Sequence, residues 1–463
     1  MAVLEKSGPR PSWKPKYVSK AEPMRGAFFW LSAFFVVYCA RPEDWIPGLK
    51  YIPLAKISGI FALLGLVFSA GRSKRTLRDL PREAFYLFAM IGLLVVAGVL
   101  SPVWKGGALM KTAEVSKVLV AWVLTFVVIT TLGRLRRIIF IQSASVAVIA
   151  MVSLLKGRSH PRLEGVIGGI YSNPNDLAFA IVLSLPFCVA FLLYTKKLPL
   201  KLVWVGAMLA MCTALFLTAS RGGFITLVAT ATVGLWHFGI KGKRPQLIAA
   251  AALVALVVGV TAGGRLKDRF FAISGEGLED TVDVSAHGSY EQRRLLMERS
   301  IEAVVHYPLG IGVGNFPNYS GTWREVHVAY LQIAVEGGIL ACVLYLLFFA
   351  RGFANLRQLR RMGGLDEETE LFAGALHSSL VGFVVGALFA PEAYQFFPYF
   401  AVAYTSVLLA IAREKVQGDG DSDVLSRPAG RKKYGNMLAA RWESLNHEGH
   451  EVTRRKAYKG SPS

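Results

Sequence analysis

The sequence predicts an all-α polytopic membrane protein with about 12 transmembrane helices and one large external loop. Three observations predict it. Of 463 residues, 53% are hydrophobic and 18% charged, a balance that leaves too little polar surface to cover a soluble core but suits a chain solvated by lipid. The apolar residues fall in blocks of roughly 17–22, the length a helix needs to cross ~30 Å of hydrocarbon. No period-2 alternation marks a barrel, and backbone groups in lipid must be satisfied within the segment, so each block reads as a helix.

In chain order the expected helices are 27–41, 54–71, 84–101, 117–133, 138–155, 175–194, 202–218, 222–238, 246–262, 328–350, 372–389 and 394–412. The first apolar run is followed by Arg41-Pro42-Glu43-Asp44-Trp45, with no small-residue cleavage site, so it reads as a retained helix. Residues 1–25 form a basic tail rich in Pro and Lys, 26–412 the membrane domain, and 413–463 a polar tail expected to be disordered.

The net charge of +21 is explained by orientation, not by nucleic acid. Alternate short loops carry the basic residues: five in 72–83, three each in 134–137, 195–201 and 241–244, and four in 351–361. The intervening short loops hold two, two, one and none in 41–53, 102–116, 219–222 and 390–395, with 156–174 an exception at three. Lys and Arg mark cytoplasmic loops, so both tails are expected in the cytoplasm and the long loop 263–326 outside. The four cysteines lie in apolar segments without metal or disulfide spacing. No phosphate-binding loop is present, and Asp419-Gly420-Asp421-Ser422-Asp423 lacks the glycine and terminal glutamate of a calcium loop.

Four elements fall on the external side. Asn173-Pro174-Asn175-Asp176 precedes a helix, where Asn and Asp cap free N–H groups or, alternatively, help a helix start receive an anion. Ser220-Arg221-Gly222-Gly223 puts an arginine between two apolar helices, which is costly unless it snorkels or faces a cavity; its guanidinium matches phosphate oxygens. The long loop carries Arg265, Arg269, Arg293, Arg294, Arg299 and Arg324. Residues 289–306 have helical spacing, and Arg293 or Arg294 could turn inward from that helix. A glycine-rich turn, 308–314, follows. His327 opens the next apolar helix and can take a proton near neutral pH. Glu336, nine residues on, lies about 180° round a continuous helix from it and needs its own partner.

Taken as an ordered set, Ser172-Asn173-Pro174-Asn175-Asp176-Leu177-Ala178, Thr218-Ala219-Ser220-Arg221-Gly222-Gly223, Pro308-Leu309-Gly310-Ile311-Gly312-Val313-Gly314 and His327-Val328-Ala329-Tyr330-Leu331-Gln332 with Glu336-Gly337-Gly338 resemble the O-antigen ligase and polymerase family. The resemblance covers roughly residues 160–345. It implies a GT-C-like inner-membrane glycosyltransferase whose large loop is periplasmic. Such enzymes move a glycan from undecaprenyl diphosphate to lipid A-core, to another glycan or to protein; direct displacement at the anomeric carbon would invert it, and with no external acidic pair of clear metal-ligand spacing the reaction is expected to need no metal or other cofactor. By the same resemblance His327 is the essential histidine beside the acceptor, Arg221 a diphosphate-binding arginine, and Arg293 the loop arginine, with Arg294, Asn173, Asp176 and Glu336 as further substrate-binding candidates. Where family ligases usually carry Asn, Ser or Gln after the histidine, this chain has Val328, and Ala341 replaces a frequent Gly, Thr or Tyr. Polymerases and protein O-oligosaccharyltransferases therefore stay open beside lipopolysaccharide ligases. A lipid-linked-oligosaccharide flippase is the rival of another class; it would favour charges deep in several helices, and here the chief one is Glu336.

Overall fold

The computed structural model describes residues 24–69, 75–156, 163, 171, 173–242, 244–245, 247–248, 280–322 and 324–426, with side-chain surroundings given from 291 in the long-loop helix and up to 416 in the last helix. The tail 1–23, most of the expected helix 246–262, the loop arginines Arg265 and Arg269, Ser172 and the tail 427–463 lie outside the described residues. The chain divides into two units, Met1–Leu409 and Ala410–Ser463. The second is described only as the continuation of the last helix to Ser426.

Every regular element among the described residues is helical. The elements are α1 (Arg25–Ala40), α2 (Pro42–Trp45), α3 (Leu54–Phe68), α4 (Arg82–Leu100), α5 (Lys105–Val128), α6 (Leu132–Lys156), α7 (Pro174–Tyr194), α8 (Leu198–Leu217) and α9 (Arg221–Gly234, prolonged by a π-helical turn, Leu235–Ile240). After the gap come α10 (Asp280–His306), α11 (Phe316–Ser320), α12 (Ala329–Gly337), α13 (Ile339–Met362), α14 (Glu367–Gly386) and α15 (Phe396–Ser426). Eight are long and apolar enough to cross a membrane: α4, α6, α7, α8, α9 with its π-turn, α13, α14 and α15; α1 and α3 are apolar but shorter.

Two expected helices differ in a way that matters. The helix expected at 117–133 is α5, which starts at Lys105. Its first turns carry Lys105, Lys111, Glu114 and Lys117, and a Lys111–Glu114 ion pair at 3.3 Å lies on their exposed face, so the helix begins well before its apolar stretch. The helix expected at 328–350 is broken at Gly338, whose backbone (φ 86, ψ 170) no helix can accommodate. Apolar composition runs straight through that break, which is why hydrophobicity alone joins α12 to α13.

The centre of the bundle is α7 and α14, packed on each other and buried over 78% and 72% of their apolar windows, against 22% for α8 and 28% for α9. Small residues on α14 allow close approach to two helices: a Cβ on Gly382 would sit 2.2 Å from Thr230 Oγ1 of α9, and one on Gly386 2.1 Å from Phe179 of α7. The buried carboxylate Glu83 at the start of α4 accepts from Asn355 Nδ2 (2.7 Å) and from Ser406 Oγ, tying α4, α13 and α15; without such partners it could not be held inside. Near the same end, His237 Nε2 meets His377 Nδ1 at 2.9 Å and Arg360 Nη2 at 3.1 Å, joining α9, α14 and α13. Arg360 can only donate, so Nε2 of His237 is the acceptor and that ring is neutral. The ends of these helices away from this tie carry the residues described next.

Candidate functional site

At the far end of α9 the two asparagine- and arginine-bearing motifs touch. Asn173 caps α7, its side chain accepting from the Asn175 N–H at 3.0 Å. Ser220 caps α9, accepting from the Gly223 N–H at 3.1 Å, and its hydroxyl donates to Asn175 Oδ1 at 2.8 Å. Gly223 is required here because a Cβ would lie 2.8 Å from Ala178 Cβ. The chain enters this junction through Ala219 at φ 47, a left-handed residue of the kind that marks constrained functional turns. Arg221 is thus the first residue of α9, half-buried. A cation at the positive end of a helix is electrostatically opposed, and an anion there would relieve both.

The glycine-rich turn locks the break at Gly338. The N–H groups of Ile311 and Gly312 donate to the carbonyls of Val335 and Glu336, each at 2.9 Å, and Ile339 N–H donates to Pro308 O at 3.0 Å. The turn thereby satisfies carbonyls left open at the end of α12. The Glu336 carboxylate accepts from the Gly314 N–H (3.0 Å) and from the Tyr394 hydroxyl (2.7 Å). Glu336, 1% exposed, therefore holds the turn and the α14–α15 connection together. A substrate-binding role was expected of it, yet it does not line the cavity.

That cavity, of about 120 Å³, is lined by Arg293, Leu296, Met297, Val326, His327, Val328, Leu331, Leu388 and Phe389. The helical repeat decides between the two candidate arginines: Arg293, Leu296 and Met297 share one face of α10, while Arg294 turns away to pair with Glu298 at 2.9 Å. His327 precedes α12, whose first N–H, on Ala329, donates to Ala387 O at 2.8 Å, and Tyr330 OH reaches Val384 O at 2.8 Å. These bonds seat the histidine against the end of α14. Gly222, next to Arg221, packs so closely on Phe389 that a Cβ would be 2.8 Å from Phe389 Cβ. The start of α9 is therefore one residue's width from the cavity wall.

Electrostatics favour neutral imidazole. Burial, then the cations Arg293 and Arg324, hold His327 below its ordinary value, and its Nδ1 is buried with no hydrogen-bond partner among the described residues. A neutral ring can accept a proton. Arg293, on the exposed rim of the cavity, is held below its ordinary value by partial desolvation and by the cation Arg324, and neighbouring guanidinium groups favour an anion between them.

Sequence reasoning named Asp176 but missed its partner Glu392 and the neighbouring Glu325. Asp176, half-exposed in the first turn of α7, hydrogen-bonds the side chain of Glu392. Glu392 is 2% exposed, and burial and Asp176 push its carboxyl well above the usual range. Two carboxyl groups can share such a bond only if one keeps a proton. Glu325, raised by burial and lowered by Lys111, acts electrostatically on both. Of the expected residues, Arg293 and His327 are brought into one cavity, and Arg221 borders it through Gly222. Asn173 caps α7, Asp176 bonds Glu392, Glu336 braces the turn and Arg294 pairs with Glu298. Among the described residues, no three His, Cys, Asp or Glu side chains are grouped as metal ligands.

Compared with known proteins, residues 206–346 match the family described as O-antigen ligase. No curated protein matches the chain significantly. The matched stretch contains Arg221, Arg293 and His327 and ends before Phe389 and Glu392.

Proposed function

We propose that this chain, whose residues 206–346 match the family described as O-antigen ligase, is a membrane glycosyltransferase of the ligase or polymerase type that transfers a glycan from undecaprenyl diphosphate to an acceptor hydroxyl at the periplasmic face of the inner membrane, with inversion. The observation that carries this reading is the single cavity shared by Arg293 and His327, bordered by the start of α9. About 12 transmembrane helices and a periplasmic 263–326 loop belong to the same reading; the alternation of basic and base-poor short loops supports them.

A polyprenyl diphosphate is an activated leaving group, so no nucleotide hydrolysis is needed. His327 takes the proton of the acceptor hydroxyl as its oxygen attacks the anomeric carbon. The bond from that carbon to the diphosphate oxygen breaks, and its electron pair stays with the diphosphate. Arg293, Arg324 and Arg221 stabilise the charge that develops there, an electrostatic contribution largest in a site from which water is excluded. Attack from the face opposite the leaving group inverts the anomeric centre. The arginines do the work a divalent cation would otherwise do, so the reaction proceeds without metal.

Reconstituted transfer measured with a chelator present throughout tests both parts. Arg293→Ala is expected to lose at least about 10²-fold, the scale of removing one transition-state donor, whereas Arg294→Ala, whose exposed ion pair is worth little, is expected to change the rate less than about twofold. Equal losses would refute the assignment, and dependence on an added divalent ion would refute the metal-free step. The acceptor is read from cells lacking the protein. A ligase is expected to leave long glycans on the carrier; single repeat units there would make the chain a polymerase, and an unchanged carrier pool would refute glycan transfer from it.

A further inference from the structure

Phe389 is the one phenyl ring lining the cavity. It is 37% exposed, whereas Phe383, earlier on α14, packs against Phe179, Tyr345 and Phe349. Its backbone is anchored. The N–H groups of Ala387, Leu388 and Phe389 donate to Phe383, Val385 and Gly386 carbonyls at 2.8, 3.2 and 2.8 Å, so the ring is carried on a prolonged last turn of α14. Gly222 braces it from below, and Ala387 O holds the start of α12 beside His327. The ring is thus fixed between the residue that neighbours Arg221 and the histidine.

We propose that Phe389 is the platform on which the transferred sugar ring lies, setting its anomeric carbon between the arginines and His327. This rests on the glycan-transfer reading of the cavity. Sugar rings present a face of C–H groups made partly positive by the ring oxygens, and a phenyl face is partly negative. Aliphatic contact is already supplied by Leu296, Met297, Leu331 and Leu388. A flat, rigid ring adds orientation, which those flexible side chains cannot. The Gly222 contact explains why glycine follows Arg221: any side chain there would displace the platform.

Binding of two probes to the full-length protein in lipid nanodiscs tests this: farnesyl diphosphate, and farnesyl diphosphate carrying N-acetylglucosamine. Phe389→Leu and Phe389→Met, which keep apolarity but lose the ring, are expected to weaken the sugar-bearing probe about fivefold and to leave farnesyl diphosphate unaffected; Phe389→Tyr is expected to bind both normally. Non-aromatic variants that weaken both probes equally, or neither, overturn the platform and make Phe389 a wall for lipid or for nothing. A wild type that binds neither probe, or an Arg293→Ala variant that binds both unimpaired, overturns the glycan-transfer reading itself.

Discussion

Replacing His327 with alanine is expected to reduce transfer by about 10²–10⁴-fold, the range of a positioned general base, while the protein still inserts and melts normally. The side chain makes no hydrogen bond at Nδ1 and one to the Glu325 backbone, so its loss should cost the fold about one hydrogen bond, roughly 1 kcal/mol. The pH profile carries the sharper test. Only the unprotonated ring can take the acceptor's proton, so the rate falls as pH drops through the histidine's value. Because burial, Arg293 and Arg324 hold that value below the ordinary one, the acid limb is expected below pH ~6.5. Arg324→Gln removes one of the lowering cations and is expected to shift the limb upward. A limb that stays put in Arg324→Gln, or a His327→Ala variant with the wild-type profile, would show that this imidazole is not the base.

How much of this was legible beforehand varies with the kind of information each feature carries. Helix existence follows from composition, and α7, α8 and α9 fall close to their expected bounds because Pro and polar residues punctuate them. The pairing of the first two motifs was not legible: the Ser220–Asn175 bond spans 45 residues, and nothing local announces it. Arg293 and Arg294 were indistinguishable until the rotation of α10 was fixed by its packing on α12. Phe389 and Glu392 were missed for a simpler reason. They sit in a short connection, and their role comes from being folded back over Gly222 and Asp176. The break at Gly338 was written in the sequence as Gly337-Gly338, but an apolar run on both sides made one long helix the natural reading. Glycine pairs within spans are ordinary, and only the turn at 308–314, supplied from elsewhere in the chain, makes this one stop a helix.

That interlock should be the most fragile point of the fold. Gly338→Ala is expected to destabilise the protein by about 2–6 kcal/mol, combining backbone strain with overpacking. At φ 86 and ψ 170 the backbone occupies a region essentially reserved for glycine. The added Cβ would lie 2.5 Å from Pro308 O and 2.7 Å from Leu309 C, backbone atoms that cannot rotate away. Gly310 faces the same restriction from the other side, 2.5 Å from Glu336 O. Gly363→Ala is the matched control: its backbone, at φ 67 and ψ 176, occupies the same glycine-only region with nothing within 4 Å of an added Cβ, so it carries the backbone penalty of about 1–3 kcal/mol without the clash. Thermal unfolding of both variants in detergent separates the two causes, and equal melting temperatures would show that the interlock adds nothing. The same substitution should disable transfer even in protein that remains folded. Relieving the clash means moving Pro308–Leu309 away from Gly338, which pulls Gly312 off the Glu336 carbonyl and Ile311 off Val335. The end of α12 then loses its anchor, and His327, at the other end of those nine residues, leaves the cavity that Arg293 shares with it.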